Sequence, residues 1–276
     1  VRFLKKADKD SDITLEKSTA IARFNDTISL SASKIDVYYQ CRFRYLCQYI
    51  LKLKPLKTAS IDVLERGTIV HYVLEKLVEQ YANKLDEILQ MPEEELINQI
   101  SLLVDECLEV YKEGREFTKN EIFSQKKLIK NIYILVIKLF NELKNTDFTV
   151  LKTEMKIGGD NADIPALEID LKDGRKICIN GYIDRTDIYK NSDGQYLRII
   201  DYKTGAKTLK ISDVLHGHNL QMILYLYAVI KAMRCQGTDV FPAGVYYMPA
   251  NAKYISTEKN ATDEVNGKLL DTLRCD

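Results

Sequence analysis

The sequence predicts an α/β fold: a strand-rich core carrying a large helical insertion. Apolar residues recur at helical spacing from residue 29 to about 144, then alternate with period two from 148 to 205. A further helical stretch and a last strand follow, and "NSDGQ" (191–195) supplies turn chemistry between two of the alternating segments. No internal repeat or low-complexity tract breaks this order, and 276 residues suit one globular domain of generous size.

Residues 1–28 are polar and weakly patterned and read as an arm or linker. The domain proper is expected over 29–276, with a helical part at about 29–145 and a core at about 146–250. "SLSASKIDVYYQCRFRYLCQYILKLKP" (29–55) opens with an N-cap serine and spaces Ile35, Tyr38, Cys41, Tyr45 and Tyr49 at helical intervals as far as Pro55. Amphipathic helices are expected at 65–81, 92–113 and 121–144. Strand patterns follow at 148–157, 166–171, 176–190 and 195–205, then a helix at 218–233 and a strand at 242–249.

Composition narrows the function classes. The chain is 46% hydrophobic and 29% charged, with no apolar run near the roughly 18 residues of a membrane span and no basic-then-apolar leader. Forty basic residues balance forty acidic ones, so any site for a polyanion must be a local patch. Six cysteines (Cys41, Cys47, Cys107, Cys178, Cys235, Cys275) form no CxxC pair, which points to a reducing, cytoplasmic setting. The start at Val1 and the end at "LRCD" suggest a piece of a longer polypeptide.

The chemistry concentrates in "RIIDYKTG" (198–205), where Asp201 and Lys203 interrupt an apolar strand closed by Thr204-Gly205. A D-x-K on a strand is commonly a surface ion pair, of little consequence. Here the strand is paired. A hairpin through "NSDGQ" sets Asp184 opposite Lys203 if Asp193-Gly194 is the loop, or opposite Asp201 if the loop is Ser192-Asp193. Either register keeps Asp184, Asp201 and Lys203 on one face. Two such carboxylates are suitable oxygen ligands for Mg²⁺, and the lysine can orient or activate a water or stabilise charge on a phosphoryl group. The apolar residues around Asp201 argue that these charges are partly buried and need a reason.

"GYIDRTDIY…YLRIIDYKTG" resembles the paired motifs of the RecB-like branch of the PD-(D/E)xK nuclease superfamily. In that branch a G-x-x-D-R-x-D strand gives the first acid and a D-Y-K-T-G strand the second acid and the lysine. "GTIVH" (67–71) matches the upstream helix whose histidine is an extra metal ligand, and "QMILY" (221–225) the Q-x-x-x-Y motif. The resemblance implies the restriction-endonuclease-like core, a mixed sheet flanked by helices. It also implies a deoxyribonuclease that hydrolyses phosphodiester bonds with Mg²⁺ or Mn²⁺. His71, Asp184, Asp201 and the carbonyl of Tyr202 would hold the metal, and Lys203, Gln221 and Tyr225 would complete the catalytic set. Gln221, Tyr225 and Arg185 are the implied DNA contacts.

The opening segment and "FPAGVYYMPAN" (241–251) are further similar to the B-subunit family of bacterial AddAB-type helicase–nucleases. That similarity implies DNA end processing in double-strand-break repair in a bacterial cytoplasm, on single strands or duplex ends, beside an AddA-type partner. Cys41 would there join three downstream cysteines around a [4Fe–4S] cluster. In this chain the usual C-P-F reads Cys41-Arg42-Phe43, and the downstream C-x-x-C group is missing. No P-loop occurs. Two other readings fit the motifs: a stand-alone CRISPR-associated exonuclease, and a catalytically dead DNA-binding scaffold.

Each supporting residue also has a plainer role. His71 could pair with Glu75 one turn on. Gln221 and Tyr225 could cap a core of Ile223, Leu224 and Val229, and Arg185 could be a solvated strand charge. Glu154, on the strand before the hairpin, matches a glutamate found in relatives but could be an edge acid. The tyrosines at 38, 39, 45 and 49 read as core and interface, and Lys52, Lys54 and Lys57 as a small basic patch.

Overall fold

Residues 176–191 form one long strand despite Gly181 and two aspartates within it, and the computed structural model shows how a sheet shares so long a segment. It describes residues 16, 27–54, 63–112, 118–203 and 210–250. The elements begin with β1 (Thr27–Ser31), α1 (Ala32–Gln40), α2 (Arg42–Tyr45) and a π-helical turn over Leu46–Ile50. Next come α3 (Val63–Tyr81), α4 (Leu85–Leu89), α5 (Glu93–Lys112) and α6 (Lys119–Lys144). The core follows as β2 (Thr149–Ile157), β3 (Leu167–Asp170), β4 (Lys176–Asn191), β5 (Gly194–Lys203), α7 (Ile211–Leu215), α8 (Gln221–Cys235) and β6 (Val240–Pro249).

β4 pairs along its first half with β1, parallel, and with β3, antiparallel. Its second half pairs antiparallel with β2 and β5, and β5 takes β6 as a parallel neighbour, closing a mixed six-stranded sheet. Ile199 and Ile200, adjacent in sequence, sit in different cores, as strand alternation requires. Ile200 and Tyr202 face the helical layer, packing with Ile69, Leu77, Ile100 and Leu139 of α3, α5 and α6. Leu197 and Ile199 face Met222 and Val229 of α8 and Ala32 of α1. The result is helices, sheet, helices, with the helical insertion as one outer layer.

The hairpin takes the second of its two registers. Asn191 pairs with Gly194 around a Ser192-Asp193 loop, and the Asn191 side chain accepts the N–H groups of Asp193 (2.9 Å) and Gly194 (3.0 Å). Asn191 was the deciding turn residue.

The segment 29–55 is not one helix. Residues 27–31 form β1, so the expected arm over 1–28 ends in a sheet strand. Ser31 Oγ accepts from Lys34 N–H (3.3 Å) and caps α1 as expected, but Cys41 lies at φ −160°, an extended residue that ends α1. Its Sγ then caps α2 by accepting from Arg44 N–H (3.4 Å). The rest of the expected arm apart from Glu16, together with Lys57, Thr204, Gly205 and Cys275, lies outside the described residues.

Candidate active site

Three carboxylates stand in a row across three strands. Thr153 pairs with Arg185 and Met155 with Ile183, which sets Glu154 of β2 against Asp184 of β4. Between β4 and β5 the ladder runs as far as Arg185 and Ile200, and the next step brings Asp184 to Asp201. There the ladder stops, and the Tyr202 N–H donates to Asp184 Oδ2 (2.5 Å).

Helix α3 delivers His71 to the same point. Its Nε2 donates to the Tyr202 carbonyl (2.8 Å), which leaves Nδ1 facing Asp184 Oδ2 at 3.5 Å. His71, Glu154 and Asp184 each offer one ligand atom within 4.8 Å of the others. Among the described residues no other three His, Cys, Asp or Glu side chains do so. Asp201 stands beside this group and not within it. One of its oxygens is ion-paired with Lys203, and the other lies 3.5 Å from Gln221 Nε2 at the start of α8.

The electrostatics follow from crowding acids in a half-buried place. Burial, and then the charge of Asp184, push the Glu154 carboxyl up to about 7. Burial and Asp184 likewise raise Asp201, against the pull of Lys203. Burial alone would depress His71, but its contact with Asp184, the charge of Asp184 and the Tyr202 carbonyl outweigh that and raise it. Glu154 is also held at φ 43°, the left-handed region, which costs a non-glycine residue about 1–3 kcal/mol and is concentrated at functional sites.

These residues fit a divalent cation. Two carboxylates and an imidazole converge, a third carboxylate adjoins them, and the acids outnumber the cations near them. Hard oxygen donors with one nitrogen suit Mg²⁺ or Mn²⁺. The [4Fe–4S] expectation finds no such support. Cys41 is exposed with its Sγ spent on the α2 cap, and the described residues bring no group of thiolates together.

Compared with models of protein families, residues 29–273 match the one described as the PD-(D/E)XK nuclease superfamily. The chain belongs to this superfamily. Curated relatives are similar over most of the chain, each named as the B subunit of an ATP-dependent helicase/deoxyribonuclease. The protein from Thermoanaerobacter sp. is 32% identical over 257 residues, 92% of this chain and 22% of that protein. The protein from Listeria monocytogenes is 31% identical over 270 residues, 93% of this chain and 22% of that protein. The one from Clostridioides difficile is 28% identical over 251 residues, 89% of this chain and 21% of that protein. The chain thus spans about a fifth of the length of these relatives. The mixed sheet flanked by helices is consistent with the superfamily's fold.

Two expected DNA contacts of this nuclease domain are corrected by its structure. Arg185 is only 1% exposed, on the face of β4 opposite Asp184. Its Nη2 donates to Glu142 of α6 (2.8 Å) and to Asp187 (3.0 Å), and burial closes the rest of the guanidinium off from solvent and from a phosphate. Tyr225 is 4% exposed, its hydroxyl bonded to the Ala32 backbone and raised to about 12 by burial. A Cβ on Gly181 would lie 1.9 Å from that hydroxyl, so the glycine of one motif makes room for the tyrosine of another. Tyr225 clasps β4 to α1. Of the expected DNA-contacting set, Gln221 contacts Asp201 directly, while Tyr225 feels the charges of Asp201 and Asp184 from a buried position.

Sequence reasoning underweighted Glu154. Only strand counting from the β2–β4 register places it opposite Asp184; in "TEMKI" it reads as a solvent-facing acid between buried Thr153 and Met155. Of the tyrosines expected as core and interface, Tyr38 and Tyr39 are exposed and Tyr45 and Tyr49 half-buried, so none of them is core.

Proposed function

We propose that this chain is a divalent-metal-dependent deoxyribonuclease domain of the helicase–nuclease type. It acts on DNA ends in double-strand-break repair beside an AddA-type partner in the bacterial cytoplasm. The observation that carries this reading is the row Glu154–Asp184–Asp201, with His71 at one end and Lys203 at the other. The names of the relatives supply DNA as the substrate class and the larger assembly.

His71, Glu154 and Asp184 would hold Mg²⁺ or Mn²⁺, with Asp201 and the Tyr202 carbonyl adjoining. When bound, the ion supplies a Lewis acid for charge developing on a phosphodiester. Lys203 orients the attacking water and places a positive charge where the phosphoryl oxygens gain negative charge. Gln221 holds one Asp201 oxygen, so the carboxylate presents a fixed edge. The Tyr202 N–H and His71 fix Asp184 in the same way. Arg185 takes no part in substrate binding.

The test is cleavage of linear single-stranded DNA with Mg²⁺, with Mn²⁺ and with EDTA, by the chain and by Asp201→Ala. Cleavage that needs the ion and vanishes in the folded variant is expected. Ion-independent cleavage, or a fully active Asp201→Ala protein, would sink the assignment.

A further inference from the structure

The aromatic residues of 38–49 form a ladder rather than a core. His218, Tyr39, Tyr38, Tyr45 and Tyr49 follow one another with ring centroids 6.2, 5.8, 5.4 and 5.4 Å apart. Tyr39 is 56% exposed and Tyr38 43%, and Phe43, on α2, is 71% exposed. Two cations lie over the rings: the Arg42 guanidinium 5.6 Å from the Tyr38 centroid and Lys34 Nζ 5.7 Å from that of Tyr49.

Exposed rings in a row are costly in water and call for an occupant. Charge identifies its class. Residues 29–54 hold five basic side chains (Lys34, Arg42, Arg44, Lys52, Lys54) against one acid, Asp36, in a chain whose charges balance as a whole. Asp36 is turned inward, accepting the Asn219 N–H (3.0 Å). A basic surface interleaved with aromatic faces is the surface on which a single strand lays its phosphates and stacks its bases. A duplex hides its base faces and could use only the charges.

The ladder also begins close to the candidate site. The Tyr225 hydroxyl bonds the backbone at Ala32, the first residue of α1, and the Tyr247 hydroxyl of β6 lies in the fields of both Asp201 and Asp36. Tyr38 and Tyr39 lie within one turn of Asp36 on α1.

We propose that the surface of α1, α2 and the following π-helical turn is a stacking platform for single-stranded DNA, leading the strand toward the Glu154–Asp184–Asp201 row. The proposal rests on the nuclease reading for its direction, and on the ring ladder and local charge for the binding itself.

The chain contains no tryptophan, so Tyr39→Trp introduces a single indole within the ladder. Binding is measured in EDTA, without cleavage, to an oligothymidylate, to an abasic strand of equal length and to a blunt duplex. The expected result is saturable quenching of the indole by oligothymidylate, and none by the abasic strand or the duplex at equal phosphate. Tyr38→Ala and Phe43→Ala should each weaken oligothymidylate binding on the order of tenfold, with abasic binding and melting temperature unchanged. Arg42→Gln with Arg44→Gln should flatten the log–log salt dependence by about 1.4, two charges' worth on a single strand. Equal quenching by abasic strand or duplex would overturn the proposal, because phosphates alone would then be read. So would a blue-shifted indole that no DNA quenches, which would mean that protein covers the ladder. Because the measurement omits divalent ions, failure of the cleavage test leaves its outcome intact, and failure here leaves the acid row untouched.

Discussion

Asp184 and Arg185 are neighbours on β4, yet the two faces of the strand treat charge in opposite ways. On Arg185's face the charges balance: Arg185 and Arg198 meet Asp187 and Glu142 in contacts of 2.6 to 3.0 Å, with Asp187 fully buried. On Asp184's face they do not. Three carboxylates share Lys203 and a histidine, and Glu154 and Asp201 are both pushed toward the neutral form. The balanced cluster pairs each acid with an arginine and ties α6 to the sheet, although burial still raises Asp187 against the pull of both arginines. An unbalanced one is relieved by protonation of its acids or by a cation that binds among them. The contrast separates structural charge from functional charge within one D-R-x-D motif, which residue type alone does not.

The largest expected effect is on the unbalanced face. Asp184→Asn keeps the shape and still accepts the Tyr202 N–H, but removes a charge from the acid row. Cleavage of linear DNA in Mg²⁺ should fall by at least about 10³-fold, as when a central electrostatic group at a reacting phosphate is lost. The melting temperature should hold or rise, because Glu154 and Asp201 lose a like-charged neighbour. Cleavage within tenfold of the parent would break the comparison.

The balanced face predicts the reverse. Asp187→Ala leaves Arg185 and Arg198 without their shared partner, and removing one member of a buried ion cluster costs about 3–5 kcal/mol. For a chain of this size that lowers the melting temperature by roughly 10 °C. At low temperature the folded fraction should still cleave within a few-fold of the parent. A variant as stable as the parent would show that the network is not needed to hold α6.

Lys203 sits at the border of the two descriptions. If it acts on the water and the transition state, Lys203→Met loses about 10²–10³ in single-turnover rate with metal affinity unchanged or stronger. Lys203→Arg would be nearly as poor, because a guanidinium is broader and does not release a proton. If it only neutralises Asp201, Lys203→Met destabilises the fold and Lys203→Arg restores it. Melting temperature, metal titration and rate on both variants decide between the accounts.

Most of the fold was legible because its signals are local. Helical periodicity marked α3, α5, α6 and α8, and alternation marked β2 to β6 to within a few residues. What escaped was set by long-range pairing or by brevity. β1 is five residues of "TISLS" whose strand character comes from β4, and α4 and α7 are too short to show a period. The site was half legible. Asp184, Asp201 and Lys203 sit on a hairpin whose register can be counted, whereas Glu154 depends on β2 docking beside β4 and on a backbone angle no sequence pattern announces. Arg185 was misread because a strand gives no sign of which face is buried until helix α6 is placed over it.

The smallest expected effect concerns Tyr225, which the sequence grouped with the catalytic residues and the structure buries between Gly181 and Ala32. Tyr225→Phe keeps the ring that fills the space beside Gly181 and removes the hydroxyl bonded to the Ala32 backbone. One such hydrogen bond contributes about 1 kcal/mol, a shift of roughly 2–4 °C in melting temperature. The rate should stay within about threefold, since the hydroxyl is shielded and its proton held by burial far above the working pH. Gly181→Ala sharpens the point: the added methyl would collide with the tyrosine ring in parent and Phe variant alike, so both should lose stability together. If Tyr225→Phe instead lost a hundredfold in rate at unchanged melting temperature, the hydroxyl would belong with Lys203, and the clasp between β4 and α1 would have to be reached by substrate during turnover.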